Sequence, residues 1–348
     1  MGGTSLTHGP LSVVYLLEDT ALFGGVKIVL HQANLLAARG HKVTVASKGE
    51  RPEWFPLRAE FLRVPGLDPA DLPGSDVTVA TFWTTIKVAA AVRVGVPAHY
   101  CQGFEAIYTH NTHEHGEILQ AYRTPIPCLA LSPHLAALVE EQFARPARVV
   151  PPALASYWGP RWRRRPRRVP RMLVVNPFEI DWKGVATALE AVQILRAQGL
   201  ACRLVRLSQW PLSAGEKLLM EPDEFHHNLK PWEVAELVRD MDIMLAPSWE
   251  QEGFGLPVLE AMASGVPVVA SDISAFRSYA GGAAVLVPHD APERFAAAAR
   301  GVLEDSARWR RLRASGLEAA KRFSEERVAE LAEEVLYWVA EKRWSKDR

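Results

Sequence analysis

Cysteine is scarce in this 348-residue chain, and neither sign of charge prevails. The three cysteines, Cys101, Cys128 and Cys202, are an odd number, and each lies in an apolar, strand-like run. That argues against a disulfide framework and for a reducing compartment. Lys and Arg total 40, as do Asp and Glu, so the formal net charge is zero. Nothing overall calls for nucleic acid as a partner. No run of about 18 apolar residues offers a bilayer-spanning helix. The apolar stretch 11–17 is short and has no basic residues ahead of it, unlike a secretory signal. No internal period suggests a solenoid. A cytoplasmic protein is expected, touching a membrane at most peripherally.

What is present is alternation. Hydrophobic residues make up 48% of a chain long enough for two domains. Apolar runs at 12–17, 42–47, 77–81, 97–101, 127–132 and 148–151 read as strands, and 26–39 and 133–143 as helices. A second series has strands at 172–176, 202–208, 242–246, 266–270 and 284–287. Its helices are 185–198, 231–241 and a helical tail from Ala291. Strands alternating with helices predict parallel sheets. Between the series, prolines and the run Arg161-Trp162-Arg163-Arg164-Arg165-Pro166-Arg167-Arg168 break the pattern. The expected division is a domain at 1–155, a linker at 156–171 and a domain at 172–323.

The most specific segment is Pro247-Ser248-Trp249-Glu250-Gln251-Glu252-Gly253-Phe254-Gly255-Leu256-Pro257-Val258-Leu259-Glu260-Ala261-Met262-Ala263-Ser264-Gly265. It sets a glycine-containing turn between an apolar strand and a helix. Pro257 suits a first helical position, where its missing N–H costs little, and Gly265 suits the helix end. Such a helix N-terminus can hold an anion on its N–H groups, favoured by the macrodipole. Glu252 and Glu260, eight positions apart, can accept hydrogen bonds from hydroxyls on either side of that anion. An anion flanked by hydroxyl-rich groups describes a nucleotide sugar.

These residues resemble the nucleotide-sugar motif of the family 4 glycosyltransferases, retaining enzymes of the GT-B fold. The Glu-x7-Glu spacing, the Gly-Phe-Gly-Leu-Pro core and the Glu-Ala-Met-Ala-x-Gly-x-Pro-Val-Val tail are all present. The resemblance implies an α/β GT-B architecture: two Rossmann-like domains with parallel sheets facing across a cleft. The acceptor would bind the first domain and the donor the second, with a last helix, about 324–348, packing back on the first. It implies that Glu252 meets the outer hydroxyls of the donor sugar and that Glu260 meets the ribose. Gly253, Phe254, Gly255 and Leu256 would form the diphosphate turn. Lys183, in Asp181-Trp182-Lys183-Gly184, would neutralise the departing diphosphate, where a fixed cation helps most. The family usually pairs that lysine with an arginine about five residues earlier. Phe178 stands here instead, and Arg206 is the candidate replacement. Gly25, in Gly24-Gly25, resembles the family's N-terminal glycine loop, which approaches the diphosphate or acceptor. Gln102, in Cys101-Gln102-Gly103-Phe104-Glu105, takes the place of a histidine that supports the donor sugar. An amide can donate and accept but carries no proton charge.

The remaining polar clusters read more plainly. His110, His113 and His115 lack a Cys or carboxylate to complete a tetrahedral set, so a polar acceptor-site loop is favoured over a metal site. His226-His227 reads as a turn. The arginine run reads as a solvated linker, with an anionic lipid contact as the sharper reading. No Asp-x-Asp pair stands beside the motif, so neither metal nor cofactor is expected. The expected activity is retaining transfer of a hexosyl or deoxyhexosyl group from a nucleoside-diphosphate sugar to a glycan or lipid-linked acceptor. The transition state should be oxocarbenium-like. No protein nucleophile is evident, which favours same-face attack by the acceptor hydroxyl. The rivals are a sugar-nucleotide epimerase or phosphorylase, and a non-catalytic nucleotide-sugar-binding or assembly protein.

Overall fold

A computed structural model describes residues 9–162 and 165–345. The first domain runs β1 (Ser12–Leu17), α1 (Gly24–Ala38), β2 (Lys42–Ser47), β3 (Glu60–Arg63), β4 (Val77–Ala80), α2 (Trp83–Ala90), β5 (Val96–Cys101), α3 (His115–Tyr122), β6 (Cys128–Ala130), α4 (Pro133–Phe143) and β7 (Ala147–Val149). The second runs β8 (Arg171–Val175), α5 (Val185–Ala197), β9 (Arg203–Ser208), α6 (Ala214–Leu219), β10 (Glu224–His227), α7 (Pro231–Arg239), β11 (Ile243–Ala246), α8 (Leu256–Ala263), β12 (Val268–Ser271), α9 (Ser274–Ala280), β13 (Val285–Val287), α10 (Pro292–Leu303) and α11 (Ser306–Ala320). The helix α12 (Glu325–Ala340) follows and packs on α1, β4 and β5 of the first domain.

Both sheets are parallel, in the orders β3-β2-β1-β4-β5-β6-β7 and β10-β9-β8-β11-β12-β13. Their central strands are largely apolar because helices cover both faces. In β8, Met172 and Val174 face the core under α5 and α10, while Leu173 and Val175 face the opposite one. The order in which strands are added switches to the other side of each sheet between β1 and β4 and between β8 and β11. Ligands in open α/β sheets bind beyond the carboxyl ends of strands at such switch points. Leu17, Thr81, Val175 and Asn176, at or just past these ends, all line one cleft between the domains.

His226 and His227 belong to β10, paired in parallel with Leu207 and Ser208, and do not form a turn. The side chains of this edge strand are half-buried or exposed and mostly polar, so its pattern carries little apolar signal. Of the arginine run, Arg163 and Arg164 lie outside the described residues. Arg161 meets Glu236 at 2.9 Å and Arg167 meets Asp242 at 3.0 Å, both on the second domain. The cysteines are free and buried. No helix among the described residues is long and apolar enough to cross a membrane.

Candidate functional site

The cleft has a volume of about 610 Å³ and is lined from both domains. Its floor is the turn before α8, held by two glycines for different reasons. Gly255 sits at φ 82°, and a Cβ there would fall 2.2 Å from a Phe276 ring carbon. A Cβ on Gly253 would fall 2.0 Å from the Gln102 carbonyl oxygen of the other domain. The Gly253 carbonyl in turn accepts a 2.9 Å hydrogen bond from the Ser132 hydroxyl. Phe254 anchors the turn by stacking on Tyr279 at 4.5 Å, a contact worth roughly 1 kcal/mol beyond burial. The helix α8 starts with no side-chain cap and no acidic residue in its first turn. The positive end of its dipole therefore faces the cleft, although Pro257 has no N–H and the Val258 N–H donates to the Gly255 carbonyl at 3.0 Å.

Glu252 and Glu260 flank this helix start, 7% and 6% exposed. Each already holds a lysine. Lys183 donates to Glu252 at 2.8 Å, with its ammonium 4.1 Å from the centre of the Trp182 ring. Lys27, on the first turn of α1, donates to Glu260 from across the cleft. Trp182 stacks at 5.1 Å on Tyr108 of the first domain. Gly184, at φ 63°, lets this segment lie against Pro247, where a Cβ would meet the Pro247 carbonyl at 2.2 Å. An ionised carboxylate has about four acceptor positions, so each glutamate can keep its lysine and still receive a hydroxyl.

Gln102 reaches the cleft beside the start of α1: a Cβ on Gly25 would stand 3.3 Å from its side-chain oxygen. That oxygen is buried without a partner, while the amide nitrogen approaches the Thr81 carbonyl at 3.5 Å. The structure thus brings together Gln102, Gly25, Lys183, Glu252, Gly253, Phe254, Gly255, Leu256 and Glu260.

It does not bring Arg206. Arg206 is fully buried, paired with Glu216 at 2.6 Å, and donates to the carbonyls of Val174 and Asn176. It braces the sheet beneath the cleft rather than replacing a donor-site cation. Phe178 packs with the core under α5. Lys27 escaped the sequence reading, although it stands two residues after Gly24-Gly25, where the residue enters the helix facing the glycine loop.

Two buried clusters lie beside the cleft. Glu105, 5% exposed, accepts a 2.5 Å hydrogen bond from the Tyr122 hydroxyl. Burial pushes its carboxyl up to about 7. His99, Cys101 and Cys128 place ligand-type atoms within 4.8 Å of one another. No fourth donor joins them among the described residues, and Arg145 already acts on His99 and Cys128 as a fixed cation. That charge opposes a divalent ion. Of the three loop histidines, His110 lines the cleft and His115 pairs with the Ala106 carbonyl at 2.9 Å.

Residues 169–305, which include the turn, match the family described as Glycosyl transferases group 1. A phosphatidyl-myo-inositol mannosyltransferase of Mycobacterium tuberculosis is 38% identical over 174 residues, 45% of this chain and 44% of that protein. A lipopolysaccharide core biosynthesis mannosyltransferase, LpsB, of Rhizobium meliloti is 36% identical over 110 residues, 30% of this chain and 29% of that protein. The chain thus spans less than half the length of these relatives. Among solved structures, a sucrose-phosphate synthase from Thermosynechococcus elongatus superposes with a TM-score of 0.74 at 17% identity, covering 93% of this chain and 98% of that one. The two-domain parallel α/β architecture is that of GT-B glycosyltransferases.

Proposed function

We propose that the protein is a retaining glycosyltransferase moving a sugar from a nucleoside-diphosphate sugar to a hydroxyl of a glycan or lipid-linked acceptor. One observation carries this reading: Glu252 and Glu260 bracket the uncapped start of α8 inside the interdomain cleft. The diphosphate would lie on the α8 N–H groups, which meet charge without reorganising as it develops on the leaving group. Glu260 would accept from the ribose hydroxyls and Glu252 from the sugar. Lys183 stands where the diphosphate departs, and Gln102 would meet the sugar from the first domain with both an acceptor and donors. No metal or cofactor enters this scheme. The acceptor hydroxyl would attack from the face the diphosphate leaves, through an oxocarbenium-like transition state.

The names of the matching relatives put mannose donors and glycolipid acceptors first among the substrates to try. A thermal-shift screen over UDP, GDP, ADP and dTDP identifies the nucleoside, because a ligand of the folded state raises the midpoint by mass action. NMR of the product from the matching sugar donor then reports its anomeric configuration, with retention expected. Glu260→Ala should weaken binding of that nucleoside diphosphate by roughly tenfold or more, since dry hydroxyls lose their acceptor. Unchanged affinity in calorimetry would remove Glu260 from the ribose. A protein that binds a nucleotide sugar but neither transfers nor hydrolyses it would instead be a binding or assembly protein.

A further inference from the structure

We propose that Lys27 is the second cation of the donor site, lent to the diphosphate by the opposite domain. The inference rests on the donor reading of the cleft given above. A nucleoside diphosphate brings several negative charges into a cleft that also presents Glu18, Asp19, Glu105, Glu252 and Glu260. Among the described residues lining that cleft, the only Lys or Arg side chains are Lys183 and Lys27. The two positions from which a further cation was expected supply none. Phe178 is packed under α5, and Arg206 is locked to Glu216.

Lys27 is placed for the task by the backbone that carries it. The helix α1 begins at Gly24 with neither a side-chain cap nor an acidic residue in its first turn. A Cβ on Gly24 would lie 3.7 Å from a δ-carbon of Leu256, the first residue of α8. Two uncapped helix starts therefore meet across the cleft, each with the positive end of its dipole inward. Lys27 adds a full charge to that convergence. Its side chain is 22% exposed, so it is neither buried nor free in solvent. An ammonium group has three donors, and Glu260 takes one of them. Lys27 can thus bridge the ribose carboxylate and a phosphate oxygen without giving up its ion pair. A donor site built this way is complete only when the two domains stand as close as they do here.

Calorimetry on the full chain tests the inference with Lys27→Met, which keeps the aliphatic stem, and Lys27→Arg, which keeps the charge. The probes are UDP, GDP, ADP, dTDP and the four parent nucleosides. For whichever diphosphate the wild type binds, Lys27→Met should lose affinity by about tenfold or more, the size of a charge-assisted contact. Affinity for the parent nucleoside should stay within about twofold, and Lys27→Arg should restore most of the loss. Equal diphosphate affinity in wild type and Lys27→Met would overturn the inference and leave the donor reading standing. An equal loss for nucleoside and diphosphate, or no rescue by arginine in a folded variant, would reduce Lys27 to a structural tie and also overturn it. A wild type that binds none of the four diphosphates would remove the donor reading and this inference with it.

Discussion

Lys183 lies 2.8 Å from Glu252 and over the face of Trp182. Substituting it does two separable things. Glu252, 9% exposed at its side chain, loses its counter-ion, which lowers stability. If Lys183 also faces the departing diphosphate, turnover falls much further, because that charge acts mainly in the transition state. Lys183→Ala should stay folded with a lower thermal midpoint and lose about a hundredfold or more in turnover of its donor. Near wild-type turnover in the folded variant would take Lys183 out of the mechanism. Glu105 contributes to the pH dependence of stability at this scale. Its carboxyl is raised from 4.5 to about 7, chiefly by burial. Below 4.5 the group is protonated whether the chain is folded or not. Between 4.5 and about 7 the unfolded chain releases that proton while the folded one keeps it, so the Glu105 contribution to stability falls as pH rises and levels off above, opposed by His99 and His134, whose pKa values burial lowers. The loss is at most about 3 kcal/mol for a shift of this size. Glu105→Gln should remove this falling contribution, making the slope of stability against pH more positive than in wild type, in urea unfolding followed from pH 5 to 8. A slope identical to wild type would contradict the assignment.

Single elements bear on the site through backbone shape. Gly255 sits at φ 82° against Phe276, so Gly255→Ala must both strain the turn and push an aromatic ring. A destabilisation of about 2–4 kcal/mol is expected in chemical denaturation, with nucleotide binding weakened as the α8 N–H groups shift. An unchanged midpoint would show that the turn tolerates a side chain. The turn was legible in the sequence because glycine, proline and paired glutamates each have a local backbone reason to be there. Strands such as Ser12–Leu17 and Lys42–Ser47 were legible to the residue, the first as an apolar run and the second through Val43, Val45 and Ala46 between a helix-ending glycine and a turn. The short edge strands Glu60–Arg63 and Glu224–His227 were not, because half-exposed strands carry mixed side chains. The helix Trp83–Ala90 was also missed. It opens with Trp83, Thr84 and Thr85, aromatic and β-branched residues that favour strands over helices when read locally. Arg206 misled for a different reason. A charge on a strand reads as a site residue until its partner is known, and Glu216 lies ten residues away on another element. Lys27 is the mirror case: its partner Glu260 is 233 residues distant, which no local pattern reveals.

At the scale of the whole molecule, the two domains meet through direct contacts. Ser132 holds Gly253, Tyr108 stacks on Trp182, and Lys27 reaches Glu260. With lysines and helix starts arranged around the cleft, donor turnover should survive EDTA. Turnover abolished by EDTA and restored by manganese would contradict a mechanism that relies on lysines and backbone N–H groups alone.

The return of α12 to the first domain has a consequence for biosynthesis. Leu336, Trp338 and Val339 bury themselves against a domain whose last strand ends at Val149. On the ribosome, that strand is made well before residues 325–340 appear. At usual elongation speeds the interval is roughly ten to forty seconds. Throughout it, the nascent first domain lacks the helix that packs on α1, β4 and β5 and that ties down His31 and Arg39 through Glu325 and Glu333. The first domain therefore stays unfinished through that interval and is completed only once residues 325–340 have left the exit tunnel.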